Sequence, residues 1–410
     1  MIKSLNRWWI VAAGTGIQVC LGSVYAWSYF QNLLAREYGW SQSQVAWAFS
    51  TAIFFLGAAA AVGGRMLPRT GPRLLAMSGG LLFGLGYLVA ALALHARSLV
   101  GLCLGYGVIG GIGLGLGYVT PVATVARWFP DRKGLATGLV IMGFGMGALV
   151  MSKALAPLLM AWSGGAIDRV FGALGVFFIL VVPLLAALMR NPPAPAPAVS
   201  PGMAVPSALR PWWLGRAFLL IWLAFFFNIM AGMAIIPFQS PLLQELVAAR
   251  GLAVADPAAA GATLIAVSSL FNGGGRLLWG WVSDHAGRAV TFRLLLGSQA
   301  LVFVVLTQVE NPWIFAVLVC YVLLCYGGGF GAMPAFVHDR FGGGAMAAAY
   351  GAMLTAWSAA GLAGPQLVAF LKDRAPAQAT AWSFGLTAAF LLAGAGIALA
   401  IKDRPRAGAS

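Results

Sequence analysis

The sequence predicts an all-α membrane protein, with twelve transmembrane helices arranged as two pseudo-symmetric six-helix bundles. Three observations carry this prediction. Charged residues make up 9% of the chain and hydrophobic residues 61%, with a mean hydropathy of +0.88. Soluble domains carry about 25% charged residues, so a surface this poor in charge is one solvated by lipid. Apolar runs long enough to cross a bilayer recur twelve times, and one long proline-rich stretch divides them six and six.

In chain order the runs are 8–31, 44–66, 73–94, 98–121, 134–160 and 170–189, then 213–238, 258–282, 290–309, 312–336, 345–371 and 379–401. Lys3 and Arg7 precede the first run without the short apolar core and small-residue cleavage site of a signal peptide, so the first run reads as an uncleaved span. The stretch from Asn191 to Pro211 contains Pro192, Pro193, Pro195 and Pro197 and cannot form a regular helix. It is the expected linker (191–211) between an N-terminal bundle, 1–190, and a C-terminal bundle, 212–410.

The basic residues set the expected orientation. With the termini and the even-numbered hinges on one side, that side holds 17 of the 25 Lys and Arg residues and the opposite side holds 6. The positive-inside rule makes the richer side cytoplasmic, both termini included. This distribution also accounts for the net charge of +15: the basic residues follow topology and form no stripe for nucleic acid. Cys20, Cys103, Cys320 and Cys325 all fall in apolar runs without zinc spacing, and His95, His285 and His338 form no cluster. Neither a metal nor a cofactor is expected. Gly107, Gly111 and Gly115, and Gly143, Gly145 and Gly147, lie in apolar runs with no Gly-Lys-Ser/Thr ending, so they read as helix-packing glycines.

The halves repeat one another. Phe30-Gln31 recurs as Phe238-Gln239, and Pro121, Arg127 and Gly138 recur as Pro334, Arg340 and Gly351. Parallel six-span repeats place a substrate site between the halves at the membrane midplane.

Two basic residues lie inside runs, Lys153 and Arg276. A guanidinium stays protonated, and holding one in hydrocarbon costs roughly 2.5–3.5 kcal/mol on insertion scales. Arg276 therefore has to face protein, water or an anion. It lies eight residues, about 12 Å of helix, before Asp284, with no acid within a turn on its own run. We read it as the receptor of a carboxylate, with Gly273, Gly274 and Gly275 letting a neighbour approach closely. Asn272, four residues earlier, shares its face. Lys153 lies toward the outer end of its run, where a long side chain reaches the interface. No Ser/His/Asp or paired-carboxylate arrangement falls within the runs, and no enzymatic activity is expected.

The loop Gly280-x3-Asp284-x2-Gly287-Arg288 resembles the signature of the major facilitator superfamily. The corresponding loop after the second run departs from it, with Pro68 where the acid belongs. Several further motifs together resemble the oxalate/formate antiporter family, which is related to bacterial monocarboxylate (lactate) transporters. They are Asn6-Arg7-Trp8-Trp9, Tyr25-Ala26-Trp27-Ser28, Tyr118-x2-Pro121-x5-Arg127 continuing through Trp128-Phe129-Pro130-Asp131-Arg132-Lys133-Gly134, and Asn272-x3-Arg276. The resemblance implies the major facilitator fold and substrate binding by Arg276, with Tyr25, Tyr118, Tyr326 and Phe330 lining the site. The position matching Asn272 resembles an aspartate in animal relatives, and an amide cannot titrate. By resemblance to the oxalate/formate antiporter family, Trp357 stands where a second cation is expected. One arginine facing an indole suits a monoanion, because a second carboxylate would meet a ring that cannot neutralise it. Asp284, Gly287 and Arg288 are expected to brace the cytoplasmic loop. Asp256, Asp373 and Lys372, at the outer ends of runs 8 and 11, are candidates for proton coupling.

The expected activity is thus secondary transport of a small monocarboxylate such as L-lactate or pyruvate by alternating access, with the proton as possible co-substrate. The expected setting is the inner membrane of a cell, as a monomer with no nucleic-acid partner. An oxalate/formate-type anion exchanger and a transporter-like membrane sensor remain open as alternatives.

Overall fold

The computed structural model describes residues 6–129, 133–192, 215–251, 256–342 and 346–401. Most of the proline-rich linker, the Pro130-Asp131-Arg132 turn and both chain ends, with Lys3, Lys402, Arg404 and Arg406, lie outside them. So do the side chains of residues 133–135 and 346–348. The described residues are helical almost throughout.

Among the described residues, eleven helices are long and apolar enough to cross a membrane. We number the spans in chain order. Span 1 is Arg7–Tyr38, span 2 Gln42–Thr70, span 3 Pro72–His95, span 4 Leu99–Trp128, span 5 Ala136–Ser163 and span 6 Ile167–Ala186. Span 7 is Arg216–Ile235, continued by Gln239–Ala249. Spans 9, 10 and 12 are Arg288–Leu306, Pro312–Phe341 and Ala379–Leu399, and span 11 is Ala349–Arg374. Span 8, Pro257–Ala286, has the length at 30 residues but is less apolar, because Ser268, Ser269, Asn272, three glycines and Arg276 fall in its middle. Those polar residues are buried inside the protein, so the helix that looks least suited to lipid is the one that carries the candidate site.

The helices outrun the apolar stretches that signalled them. Span 1 continues through Gln31, Asn32 and Arg36 to Tyr38, beyond the expected end at residue 31. Span 2 starts at Gln42 because Ser41 and Gln44 form a reciprocal capping box. Hydropathy marks where hydrocarbon ends, whereas caps mark where the helix ends.

Two seams join the halves, span 2 against span 11 and span 5 against span 8. Each maps onto the other when six is added to or subtracted from the span number, as the repeat requires. Both are close contacts between small residues. A methyl on Gly57 would lie 2.4 Å from the Ser358 hydroxyl, which itself donates to the Phe54 carbonyl at 2.8 Å. A methyl on Gly145 would lie 2.7 Å from Gly273, and Ser269 donates to the Gly145 carbonyl at 2.7 Å. The packing reading of the other glycines holds as well: methyls on Gly111 and Gly115 would meet span 2 carbonyls at 2.6 and 2.3 Å.

Candidate functional site

Arg276 lies ten residues before the C-terminal end of span 8 and is 2% exposed. It is turned toward neither lipid nor a protein carboxylate. Its surroundings follow from the glycines beside it. A methyl on Gly275 would sit 2.0 Å from the Leu324 carbonyl oxygen, so span 10 packs directly on span 8 there. On the other flank Gly273 meets Gly145 and brings in the span 5 backbone. The Arg276 Nη1 donates to the Ile141 carbonyl at 3.0 Å. Nε and Nη2, one edge of the guanidinium, make no hydrogen bond of normal geometry among the described residues, although the Tyr25 hydroxyl lies within reach of the guanidinium. The Phe144 and Phe330 rings lie 5.6 and 5.2 Å from Cζ, a cation–π arrangement that offsets part of the desolvation cost.

An aromatic cage surrounds this cation. Span 1 tightens into a 3-10 turn at Ser23–Ala26, and Tyr25 in that turn hydrogen-bonds Tyr326 of span 10, hydroxyl to hydroxyl at 2.5 Å. Phe144 packs edge-on against Tyr25 at 5.1 Å and Tyr118 at 5.0 Å. Trp357 packs on Phe330 at 4.6 Å and on Tyr118 at 5.2 Å. Arg276 and five of the expected residues, Tyr25, Tyr118, Tyr326, Phe330 and Trp357, therefore meet in one buried cluster drawn from both halves. Among the ring contacts of Arg276, Phe144 and Phe330 stand where Trp357 was expected; the indole forms the wall behind them. Asn272 is buried with its Oδ1 turned toward Gly327 of span 10 and without a hydrogen-bond partner.

Sequence reasoning missed three contributors. Ile141 supplies a backbone carbonyl, which no side-chain pattern reveals. Phe144 lies between Gly143 and Gly145, and their close packing carries its ring to the arginine. Tyr350 of span 11 is 5% exposed and turns its hydroxyl toward that of Tyr118. Its seven-residue spacing from Trp357, which an unbroken helix would place on one face, was the signal available.

The rim residues have separate partners. Asp256 caps span 8, accepting from the Ala258 and Ala259 amides at 2.9 and 3.0 Å. Asp373, at the C-terminal end of span 11, accepts from Ser41 Oγ at 3.0 Å, from the Gln42 and Ser43 amides at 3.2 and 3.0 Å, and from Ser43 Oγ. It thereby clamps the start of span 2 across the two halves. Lys372 bonds Glu245 at 2.5 and 2.8 Å. Arg288 holds Asp284 at 2.6 Å and Asp339 at 2.9 Å, and also reaches Ser283. Gly287, at φ +96°, makes the turn between spans 8 and 9 in a conformation suited to glycine. Lys153 donates to Thr263 Oγ1 at 2.6 Å across the second seam.

Among the described residues Arg276 is the one buried cation; walled by aromatic rings and held between two helical halves, it belongs to a membrane carrier rather than to a site of bond chemistry. Residues 12–365 match the Major Facilitator Superfamily, and the chain belongs to that family and is a transporter, not an enzyme. It is 26% identical to the oxalate:formate antiporter of Oxalobacter formigenes, over 94% of this chain and 88% of that one. It is 30% identical to monocarboxylate transporter 11 of Homo sapiens, over 88% of this chain and 74% of that one. The fold matches a solved bacterial homologue of the human lysosomal transporter Spinster, in an inward-facing unoccupied conformation, with a TM-score of 0.69, 16% identity and 97% of each chain covered.

Proposed function

We propose that this transporter of organic anions carries small monocarboxylates, L-lactate, pyruvate or a close analogue, by alternating access and coupled to protons. The observation that carries the reading is the state of the Arg276 fork. Nη1 is committed to Ile141, and the Nε–Nη2 edge remains. That edge matches one carboxylate in bidentate geometry. A second carboxylate on the same molecule would face Phe144, Phe330 and Trp357, which cannot neutralise it. The two relatives, an oxalate:formate antiporter and a monocarboxylate transporter, agree on a small carboxylate.

Loading neutralises the arginine and favours closure of spans 1, 4, 7 and 10 over the ligand. The proton then travels with the substrate or on the rim groups Asp256, Asp373 and Lys372, because Asn272 cannot titrate. The halves are residues 1–190 and 212–410, both termini face the cytoplasm of a cell whose inner membrane holds the carrier, and the working unit is a monomer.

The test is uptake of labelled lactate, pyruvate, formate and oxalate into proteoliposomes, with and without an inward proton gradient. Lactate and pyruvate should accumulate, and faster with the gradient. Transport confined to oxalate against formate, indifferent to the gradient, would replace this reading with the exchanger reading that the Oxalobacter relative favours.

A further inference from the structure

We propose that the Tyr350 hydroxyl, acting with that of Tyr118, binds the oxygen on the second carbon of the transported acid. The carrier would then select 2-hydroxy and 2-oxo monocarboxylates over plain alkanoates. This inference rests on the monocarboxylate reading of Arg276 and adds a second subsite to it.

Span 11 is interrupted at Leu354, between Met346–Met353 and Thr355–Arg374. At the break the Trp357 amide donates back to the Leu354 carbonyl at 2.9 Å, a tighter turn than α. Tyr350 and Trp357 flank this break and point into the same cage. The hydroxyls of Tyr350 and Tyr118 and the Nε1 of Trp357 are buried and have no hydrogen-bond partner of normal geometry among the described residues. Phe144 and Phe330 occupy the same cage as phenylalanines, so packing alone does not account for two hydroxyls there. The Tyr350 and Tyr118 hydroxyls face each other from spans 11 and 4, which belong to different halves.

The two O–H groups lie within reach of one another but make no hydrogen bond of normal geometry among the described residues, so both can turn to a single oxygen placed between them. A hydroxyl or a keto oxygen accepts from such donors, whereas a methylene leaves them unpaired. A site built on buried donors discriminates strongly against the analogue that lacks the oxygen. Because the donors come from opposite halves, the oxygen also ties the halves together, so selectivity and closure are linked.

The experiment is binding of L-lactate, pyruvate and propanoate to the full-length purified protein, wild type against Tyr350→Phe. Wild type should prefer lactate and pyruvate to propanoate by about tenfold or more. The variant should lose most of that preference, with propanoate binding changed less than about twofold. Equal weakening of all three acids would make Tyr350 a packing residue and overturn the inference, as would an unchanged preference. If the variant does not fold, a wild type that binds propanoate as well as lactate overturns the inference by itself, and Tyr118→Phe repeats the comparison. A wild type that binds none of the three, or an Arg276→Gln variant that binds them all undiminished, sinks the monocarboxylate reading instead.

Discussion

Replacing Arg276 with glutamine should move stability and binding in opposite directions. The residue is a buried cation with one backbone hydrogen bond, two ring contacts and, among the described residues, no acid paired with it. An arginine at membrane depth costs roughly 2.5–3.5 kcal/mol on insertion scales. Glutamine keeps a donor for the Ile141 carbonyl and sheds the charge, while remaining a polar group that must be satisfied. The ligand-free protein should therefore become more stable, by about 1–2 kcal/mol. Binding should suffer the reverse. The lost edge makes two charge-assisted bonds, each contributing about 1.5–3 kcal/mol, and a neutral amide recovers part of that. A net loss of about 3 kcal/mol weakens lactate binding by more than a hundredfold. Thermal unfolding in detergent with no ligand, and isothermal titration with lactate, read the two effects. A variant that is less stable than wild type yet binds lactate equally well would refute the reasoning, since it would make Arg276 a structural residue.

Three further outcomes follow from the geometry. Asp373→Asn removes the charge that clamps the start of span 2, so the outer ends of spans 2 and 11 should part more often. The shift should be about fivefold, from the ~1 kcal/mol of a carboxylate at a helix N-terminus, seen as a longer distance component between spin labels there. Gly145→Val forces spans 5 and 8 apart where a methyl already lies 2.7 Å from Gly273. Stability should fall by about 1–3 kcal/mol and uptake should be lost, and undiminished uptake counts against the seam. Trp357→Lys places a second cation in the cage, so oxalate affinity should rise while lactate affinity falls. Competition binding that finds no gain for oxalate excludes Trp357 as the residue that limits charge.

The architecture was legible because lipid imposes it. Runs such as 73–94 and 290–309 have few ways to satisfy their backbone in hydrocarbon except as helices, and the recurrence of Pro121 and Arg127 as Pro334 and Arg340 exposed the repeat. Arg276 was legible for the same reason, since a charge in an apolar run needs a purpose. The helix ends were less so: Tyr38 lies seven residues past the expected end of its span, where the chain leaves hydrocarbon but stays helical.

By itself, the sequence determined a membrane-embedded helical protein in two repeated halves with one cation stranded between them, because hydropathy, charge bias and repetition are properties of the chain alone. Tertiary structure decided how that cation is held. The Ile141 carbonyl takes one side of the guanidinium, Phe144 and Phe330 cover it, and the Nε–Nη2 edge remains. It also decided that Asp373 is a clamp on span 2, 331 residues away from its Gln42 contact in sequence. Both depend on how closely glycine-lined helices from different halves approach. That distance is set by packing between remote segments and is not written in either one.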